Sequence, residues 1–328
     1  MSVDEVDITL ETSGTEGVAK QVSFSVERLR ASARMGRALE DLQSGDCWLN
    51  CLPLNHVGGL SIKYRCEEAG AAMLLHEGFD PEKIYGDLKR HFVTHISLVP
   101  VMLSKLLDYF GDKPAPTYLK TVLIGGDHLP KSLAQRAVER GWPIVVSYGL
   151  TETASRITML RLSGENIAAW DDSDVGPPLP GVSVTIGGQG EIRIRSDQLL
   201  GDHEVVTADH GAVDDSGHLH VYGRLDCRII SGGVTIDPVT IEQLMISAPG
   251  VKDVGVGSVP DKEWGERIVA VIAGDMNQDI VAGWMRENIP SGLRPRELLL
   301  VSELRRNRLG KLDREWLKNQ AESAFSIP

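Results

Sequence analysis

Hydrophobic and polar positions change their period along the chain, and the changes mark its parts. From residue 6 to about 150, short apolar runs alternate with longer amphipathic stretches. VDITLE, CWLNCLP, AAMLL, HISLV, KTVLIGG and PIVVSYG read as strands, being brief apolar runs bounded by turn residues. Between them Val26 to Leu42, Pro81 to His91, Val101 to Phe110 and Pro130 to Arg140 repeat at helical spacing. The last of these opens on proline and closes on Gly141, the punctuation of a helix. Strand alternating with helix predicts a largely parallel sheet with helices on its faces. Ligands of such sheets sit beyond the carboxyl ends of the strands, so the loops there are where chemistry is sought.

From about 160 to 225 the period falls to two, in short strands such as SVTIGGQGEIRIRS. IGGQG has the look of a nucleotide loop, but two flanking period-two strands make it a hairpin turn. From about 227 onward helix and strand mix again, in TIEQLMIS, KDVGVGSV, RIVAVIA, VAGWMREN, RELLLV and a last helix near Arg314 to Ala324. The expected fold is α/β: a mostly parallel sheet with flanking helices and a small β-rich subdomain, followed by a smaller α+β C-terminal domain. The boundary falls near Asp226, giving a large domain over 1–225 and a small one over 226–328.

Composition narrows the function. The 328 residues carry 34 Lys+Arg against 46 Asp+Glu, a net charge of −12 without a basic block. That argues against a nucleic-acid surface, yet a local cluster of donors still suffices for a nucleotide. No apolar run reaches the roughly 18 residues a membrane span needs, and the acidic start MSVDEVDITLE has no signal-peptide core. Cys47, Cys51, Cys66 and Cys227 form no CxxC pair, as expected of a reduced cytoplasmic protein with buried thiols.

Four segments carry candidate chemistry. The first runs from Thr12 through Ser13, Gly14, Thr15, Glu16, Gly17, Val18 and Ala19 to Lys20. Glycines and hydroxyls ending in a lysine suit a loop that wraps phosphate oxygens, although it lacks the Gly-Lys-Ser/Thr ending of a Walker loop. Read alone, an ordinary flexible turn is the better reading. The second is Ser147-Tyr148-Gly149-Leu150-Thr151-Glu152-Thr153, either a plain strand exit or a ring to stack on a base, a hydroxyl for phosphate and a carboxylate for a hard cation. The third is Tyr222-Gly223-Arg224-Leu225-Asp226 with Ser231-Gly232-Gly233 after it, and the fourth is Leu309-Gly310-Lys311-Leu312-Asp313-Arg314.

In this order the four resemble the adenylate-forming acyl-CoA synthetase superfamily, whose patterns are a TSGTTGxPK-like loop, YGxTE, GRxD and a GKxxR ending. LPLNHVGGLSI, SLVPVML, SYGLTETAS, VGPPLPGVSVTI and GRLDCRIISGG look most like its o-succinylbenzoate-activating branch, over about residues 6 to 318. The resemblance implies ATP, Mg²⁺ and coenzyme A as co-substrates, with a small carboxylic acid. It implies that Thr12, Ser13, Gly14, Thr15, Gly17 and Lys20 hold the β- and γ-phosphates. Gly125, Gly126 and Asp127 would line the adenine site with Ser147, Tyr148 and Gly149, and Thr151 would meet the α-phosphate. Glu152 would hold Mg²⁺, Asp209 the ribose hydroxyls with help from Arg224, and Asp226 would be the hinge of the small domain. Gly232 and Gly233 match the pantetheine channel, and Lys311 the lysine that bridges carboxylate and α-phosphate. His56 matches a histidine at the acyl pocket, the alternative being a polar residue closing a strand. Arg65 matches an arginine for a second carboxylate, the alternative being a solvated helix arginine.

Two departures stand out. Glu16 and Ala19 replace the usual threonine and proline of the phosphate loop, and an inward carboxylate there would cost on the order of 1–4 kcal/mol. Only eleven residues precede that loop where family members carry a subdomain, so a second copy or another partner is expected over the uncovered face. The alternatives to a succinylbenzoate ligase are a ligase for another aryl or acyl acid and a nucleotide-binding homologue without ligase activity.

Overall fold

The computed structural model describes residues 7–12, 20–90, 92–275, 277–307 and 310–325. They group into two compact units, one of residues up to Thr207 with Ala212–Val221, the other of Ala208–Gly211 with Tyr222 onward.

The first unit opens on β1 (Asp7–Thr12) and β2 (Lys20–Ser25), an antiparallel pair that stands apart from the main sheet. This corrects the expectation that VDITLE joins the parallel sheet. QVSFS alternates every second residue and is its own partner strand. Helix α1 (Val26–Glu40) starts at once, because the Ser25 hydroxyl accepts from the Arg28 amide at 3.4 Å.

Then come β3 (Cys47–Asn50), α2 (Val57–Ala69), β4 (Ala72–Leu75), α3 (Pro81–Arg90), β5 (His95–Leu98), α4 (Pro100–Phe110), β6 (Thr121–Ile124), α5 (Lys131–Glu139), β7 (Ile144–Leu150) and β8 (Ser155–Arg161). Their sheet has the order β4-β3-β5-β6-β7-β8, parallel except for the last pair. It is buried on both faces, and alternation along the strands divides two cores. Leu49, Ile96, Ile124 and Ile144 face Leu103, Leu106 and Trp142, while Trp48, Leu123 and Val145 face Ile62 and Cys66. Each fully buried aliphatic chain contributes about 1.5–3 kcal/mol, which is why these strands read as unbroken apolar runs.

The β-rich part holds β9 (Ser183–Ile186), β10 (Glu191–Arg195), the short α6 (Asp197–Leu200), β11 (Glu204–Val213) and β12 (Leu219–Arg224), in the sheet order β12-β11-β10-β9. Ile186 pairs with Ile192 across IGGQG, so that glycine run is the hairpin turn its flanks predict.

The second unit continues with β13 (Ile229–Ser231), β14 (Val234–Ile236), α7 (Pro238–Met245), β15 (Val251–Asp261), β16 (Gly265–Gly274), α8 (Gln278–Asn288), β17 (Glu297–Val301) and α9 (Arg314–Phe325). Strands β15 and β16 form a long hairpin, and β17 lies parallel beside β16. Alternation again makes two faces: Val254, Val256, Ala270 and Ile272 pack under α7 and α8, while Val259, Val269 and Val271 pack under α9.

No helix of the described residues is long and apolar enough to cross a membrane. All four cysteines are free, and burial pushes the Cys51 and Cys66 thiols up to about 12.

Asn50, fully buried at the carboxyl end of β3, fixes the loop into α2. Its amide donates to Gly59 O at 3.0 Å, and its carbonyl accepts from the Leu52 amide at 3.0 Å. Asn50→Ala strands both backbone groups, so urea denaturation is expected to show a loss of about 2–3 kcal/mol. A loss below about 0.5 kcal/mol would mean that the loop is held by something else.

Candidate functional site

In the first unit the predicted residues collect on loops at the carboxyl ends of β3, β6 and β7. His56 occupies the N-cap position of α2 in extended backbone, φ −122° and ψ 148°. A Cβ on Gly59 would lie 2.3 Å from Pro53 O, so only glycine lets the loop and helix meet this closely.

Gly125 and Gly126 follow β6. The Ser147 hydroxyl of β7 donates to Ile124 O at 3.0 Å, and a Cβ on Gly125 would stand 2.8 Å from it. Gly126 has φ +82°, which suits glycine, and Asp127 beside it is exposed.

Strand β7 runs through Ser147, Tyr148 and Gly149 and turns back at once into β8. A Cβ on Gly149 would be 2.2 Å from Ser155 O, so the two strands cross here with no room for a side chain. Between them Thr151 and Glu152 are half-buried. Two side chains fix the backbone of this turn. Thr153 is fully buried, and its hydroxyl accepts from the Leu150 amide at 3.0 Å and donates to Ser155 O at 2.7 Å. Arg28 Nη2 of α1 donates to Glu152 O at 2.9 Å. Ala154 and Ser155 have φ of +53° and +121°, left-handed values that non-glycine residues adopt only when the surroundings impose them.

Beneath this turn lies a cluster of buried charge. Arg65 and Arg156 are 3 % exposed and Glu40 is 0 % exposed. Glu40 Oε1 stands 2.8 Å from Arg156 Nη2 and 3.5 Å from Arg65 Nε. Arg65 Nη2 donates to Ser155 Oγ at 2.9 Å, its guanidinium lies 5.3 Å from the Trp48 ring centroid, and Ser155 Oγ donates to Ser61 Oγ at 3.4 Å. Burial, and next the charge of Arg156, push Arg65 down to about 9, so it stays cationic at neutral pH. The solvated helix arginine is thereby excluded. Glu40, Ser155 and Arg156 were not singled out from sequence. The one available signal was an arginine directly after the Thr-Glu-Thr-Ala-Ser segment.

Ser13, Gly14, Thr15 and Gly17 lie outside the described residues. Thr12 ends β1 and Lys20 starts β2, so the loop between them joins the two strands of a hairpin.

The second unit holds the other predicted residues. Arg224 donates to both Asp226 oxygens, at 2.8 and 2.6 Å, and its Nη1 stands 3.5 Å from Asp209 Oδ1. The bonds to Asp226, first of its causes, raise the Arg224 pKa. Asp209 is 8 % exposed. Gly232 and Gly233 turn between β13 and β14 with φ of +59° and +79°. The Trp264 ring lies 3.0 Å from where a Gly232 Cβ would be, and the Arg296 guanidinium covers that ring at 3.6 Å. Lys311 is exposed on a tight loop, where Asn307 Oδ1 accepts from its amide at 3.1 Å and the Asn307 amide donates to Lys311 O at 2.8 Å. Arg306, bonded to both Asp253 oxygens at 2.8 and 2.9 Å, holds the loop down.

The described residues contain no group of three or more His, Cys, Asp or Glu that could hold a metal ion.

Two family models match this chain: AMP-binding enzyme over residues 10–201 and AMP-binding enzyme C-terminal domain over residues 240–311. The 2-succinylbenzoate–CoA ligase of Bacillus mycoides is 33% identical over 347 aligned positions, covering 98% of this chain and 71% of that protein. The Bacillus subtilis o-succinylbenzoate CoA synthetase, solved with its acyl-adenylate intermediate, superposes with a TM-score of 0.85 at 29% identity, over 94% of this chain and 68% of that one. The same enzyme solved with ATP and magnesium ion also gives 0.85. The ATP-bound MatB of Rhodopseudomonas palustris, 24% identical with a TM-score of 0.87, shares the fold.

Sequence reasoning also missed Asp237, the N-cap of α7. Its Oδ1 accepts from the Val239 amide at 3.0 Å, while Oδ2 has no hydrogen-bond partner among the described residues. A Cβ on Gly223 would fall 2.0 Å from Oδ2, so the carboxyl is wedged against the end of β12. Burial is the main cause that pushes Asp237 up to about 6 from 3.8. An acid whose folded pKa is raised is penalised when ionised, so its contribution is lost as pH climbs from 3.8 to 6. Asp237→Asn keeps the cap and removes the penalty. Urea unfolding should show a gain of about 1 kcal/mol at pH 8, allowing for partial exposure, that vanishes toward pH 4. An equal gain at both pH values would overturn the assignment.

Proposed function

The chain belongs to the AMP-binding enzyme family, and on that premise we propose that it is an ATP-dependent acid–CoA ligase acting on o-succinylbenzoate. The observation that carries the choice of acid is Arg65, cationic and buried against Ser155 on the turn that bears Thr151 and Glu152. An acid with two carboxylates keeps one free after the other reacts, and a buried guanidinium beside a hydroxyl offers it charge-assisted bonds.

The first half-reaction joins a carboxylate oxygen to the α-phosphorus of ATP and releases pyrophosphate. The second joins the CoA sulfur to the acyl carbon, breaks the bond to AMP and releases the thiol proton to solvent. Two anions must meet in the first step, so the residues' task is electrostatic. Thr12, Ser13, Gly14, Thr15, Gly17 and Lys20 would hold the β- and γ-phosphates. Gly125, Gly126, Asp127, Ser147, Tyr148 and Gly149 would seat the adenine, and Thr151 would bond the α-phosphate. Glu152 would hold Mg²⁺, which neutralises phosphate charge when bound. Asp209 and Arg224 would meet the ribose. His56, heading α2, would close the acyl pocket. The domain turning about Asp226 would then exchange the Lys311 loop for the Gly232-Gly233 turn, beside the pantetheine arm. Both nucleotide co-substrates suit cytoplasmic work.

The full chain with MgATP and o-succinylbenzoate should release pyrophosphate, and with CoA added should form the thioester. Release with other aryl acids but not this one would replace the substrate, and no release with any acid would leave a nucleotide-binding homologue. Lys311→Ala should slow acyl-AMP formation by about a hundredfold or more while CoA attack on supplied acyl-AMP stays nearly unchanged. If both half-reactions fall together, Lys311 has another job.

A further inference from the structure

The three buried charges beneath the Leu150–Ser155 turn do not sum to zero. Glu40 brings one negative charge, Arg65 and Arg156 one positive charge each, and all three are within a few per cent of complete burial. The other titratable groups against them do not alter the count. Burial keeps the Cys66 thiol protonated, with a pKa of about 12. Burial likewise lowers the His95 pKa, and the ring lies 2.8 Å from Glu40 O through Nε2, so it is neutral there. Trp48 contributes a ring face. One positive charge is left without a counter-charge among the described residues. An unpaired buried ion is strongly disfavoured, and folds retain one where something anionic offsets it.

The two arginines are unequal. Arg156 is the closer partner of Glu40, and its Nη1 has no hydrogen-bond acceptor among the described residues. It is locked from the other side too, because a Cβ on Gly36 would fall 2.2 Å from Nη2. Arg65 only touches Glu40 through Nε at 3.5 Å and aims Nη2 at the Ser155 hydroxyl, which Ser61 also meets. So the carboxylate is mostly spent on Arg156, and the uncompensated charge is that of Arg65.

We propose that Glu40 and Arg156 are positioning residues that set the charge of the acid pocket: they neutralise each other, hold the Arg65 guanidinium against Ser155, and leave it one positive charge for one substrate carboxylate. The inference rests on the reading of Arg65 as the receptor for the acid's second carboxylate. Its own content is that affinity follows the charge sum of the cluster and not the identity of the two supporting residues.

The test uses the full chain, with KM and kcat measured for o-succinylbenzoate and for whichever of its mono-amides keeps the reacting carboxylate. Arg156→Gln takes the sum from +1 to zero and frees Glu40 to pair with Arg65. The KM for the dicarboxylate should rise about 10- to 100-fold, the worth of a charge-assisted contact, with kcat and the mono-amide KM within about threefold of wild type. Glu40→Gln with Arg156→Gln restores +1, and the dicarboxylate KM should return to within about threefold of wild type. A damaged core would not recover on a second substitution. Equal rises for both acids, or a double variant as poor as Arg156→Gln, would overturn the proposal. Should Arg156→Gln fail to fold, the double variant decides alone: a wild-type KM ratio between the two acids supports the charge rule, and a lost ratio overturns it. If wild type itself does not prefer the dicarboxylate, the reading of Arg65 fails first, which separates the two outcomes.

Discussion

A parallel sheet that ends in an antiparallel strand must reverse its chain at the sheet's edge, and the reversal from β7 to β8 is the constraint on which the rest of the first unit turns. The strands pair up to Leu150 and Ser155, which leaves four residues to turn in. The turn is half-buried, and several of its backbone groups take internal partners. Thr153 supplies them with one hydroxyl, Gly149 gives up its side chain so that the strands can cross, and Ala154 and Ser155 accept left-handed backbone. Strain of this kind costs about 1–3 kcal/mol per residue and persists because the neighbours overdetermine it. Thr151 and Glu152 are thereby held rigidly on a short span.

The same reversal explains why ions lie under the turn. Arg156 is the second residue of β8 and points into the layer between the sheet and α1, where the last helical turn offers Glu40. Arg65 enters that layer from α2, the helix headed by His56. The cluster therefore ties α1, α2 and the β7–β8 turn to one another at a cost that an all-apolar layer would avoid. With Arg28 bonding Glu152 O from the first turn of α1, the helix grips both sides of the turn, at its carbonyl and through the ion pair.

Much of this architecture was legible from periodicity. Strands buried on both faces gave apolar runs, and the long helices gave helical spacing, so the sheet and its order of elements followed. Three parts did not. KQVSFS alternates so briefly that its role as the partner of β1 depends on chain reversal, which period alone does not specify. Glu40 and Arg156 sit in polar-looking text, and their burial is decided by partners far apart in sequence. Asp237 has the ordinary appearance of an N-cap, and only the close approach of Gly223 makes it unusual. The site residues were legible one motif at a time. What joins Arg65 to the Thr151 turn is a contact across 90 residues of chain, and no local pattern encodes it.

Arg224 shows the same economy of shared partners in the second unit. One guanidinium serves two carboxylates: it grips Asp226 with two short bonds and reaches Asp209 only at 3.5 Å. Bidentate geometry favours Asp226, and Asp209 lies near a cation that stabilises its charge. The wedge of Asp237 against Gly223 constrains the backbone immediately before Arg224, which limits where that guanidinium can reach.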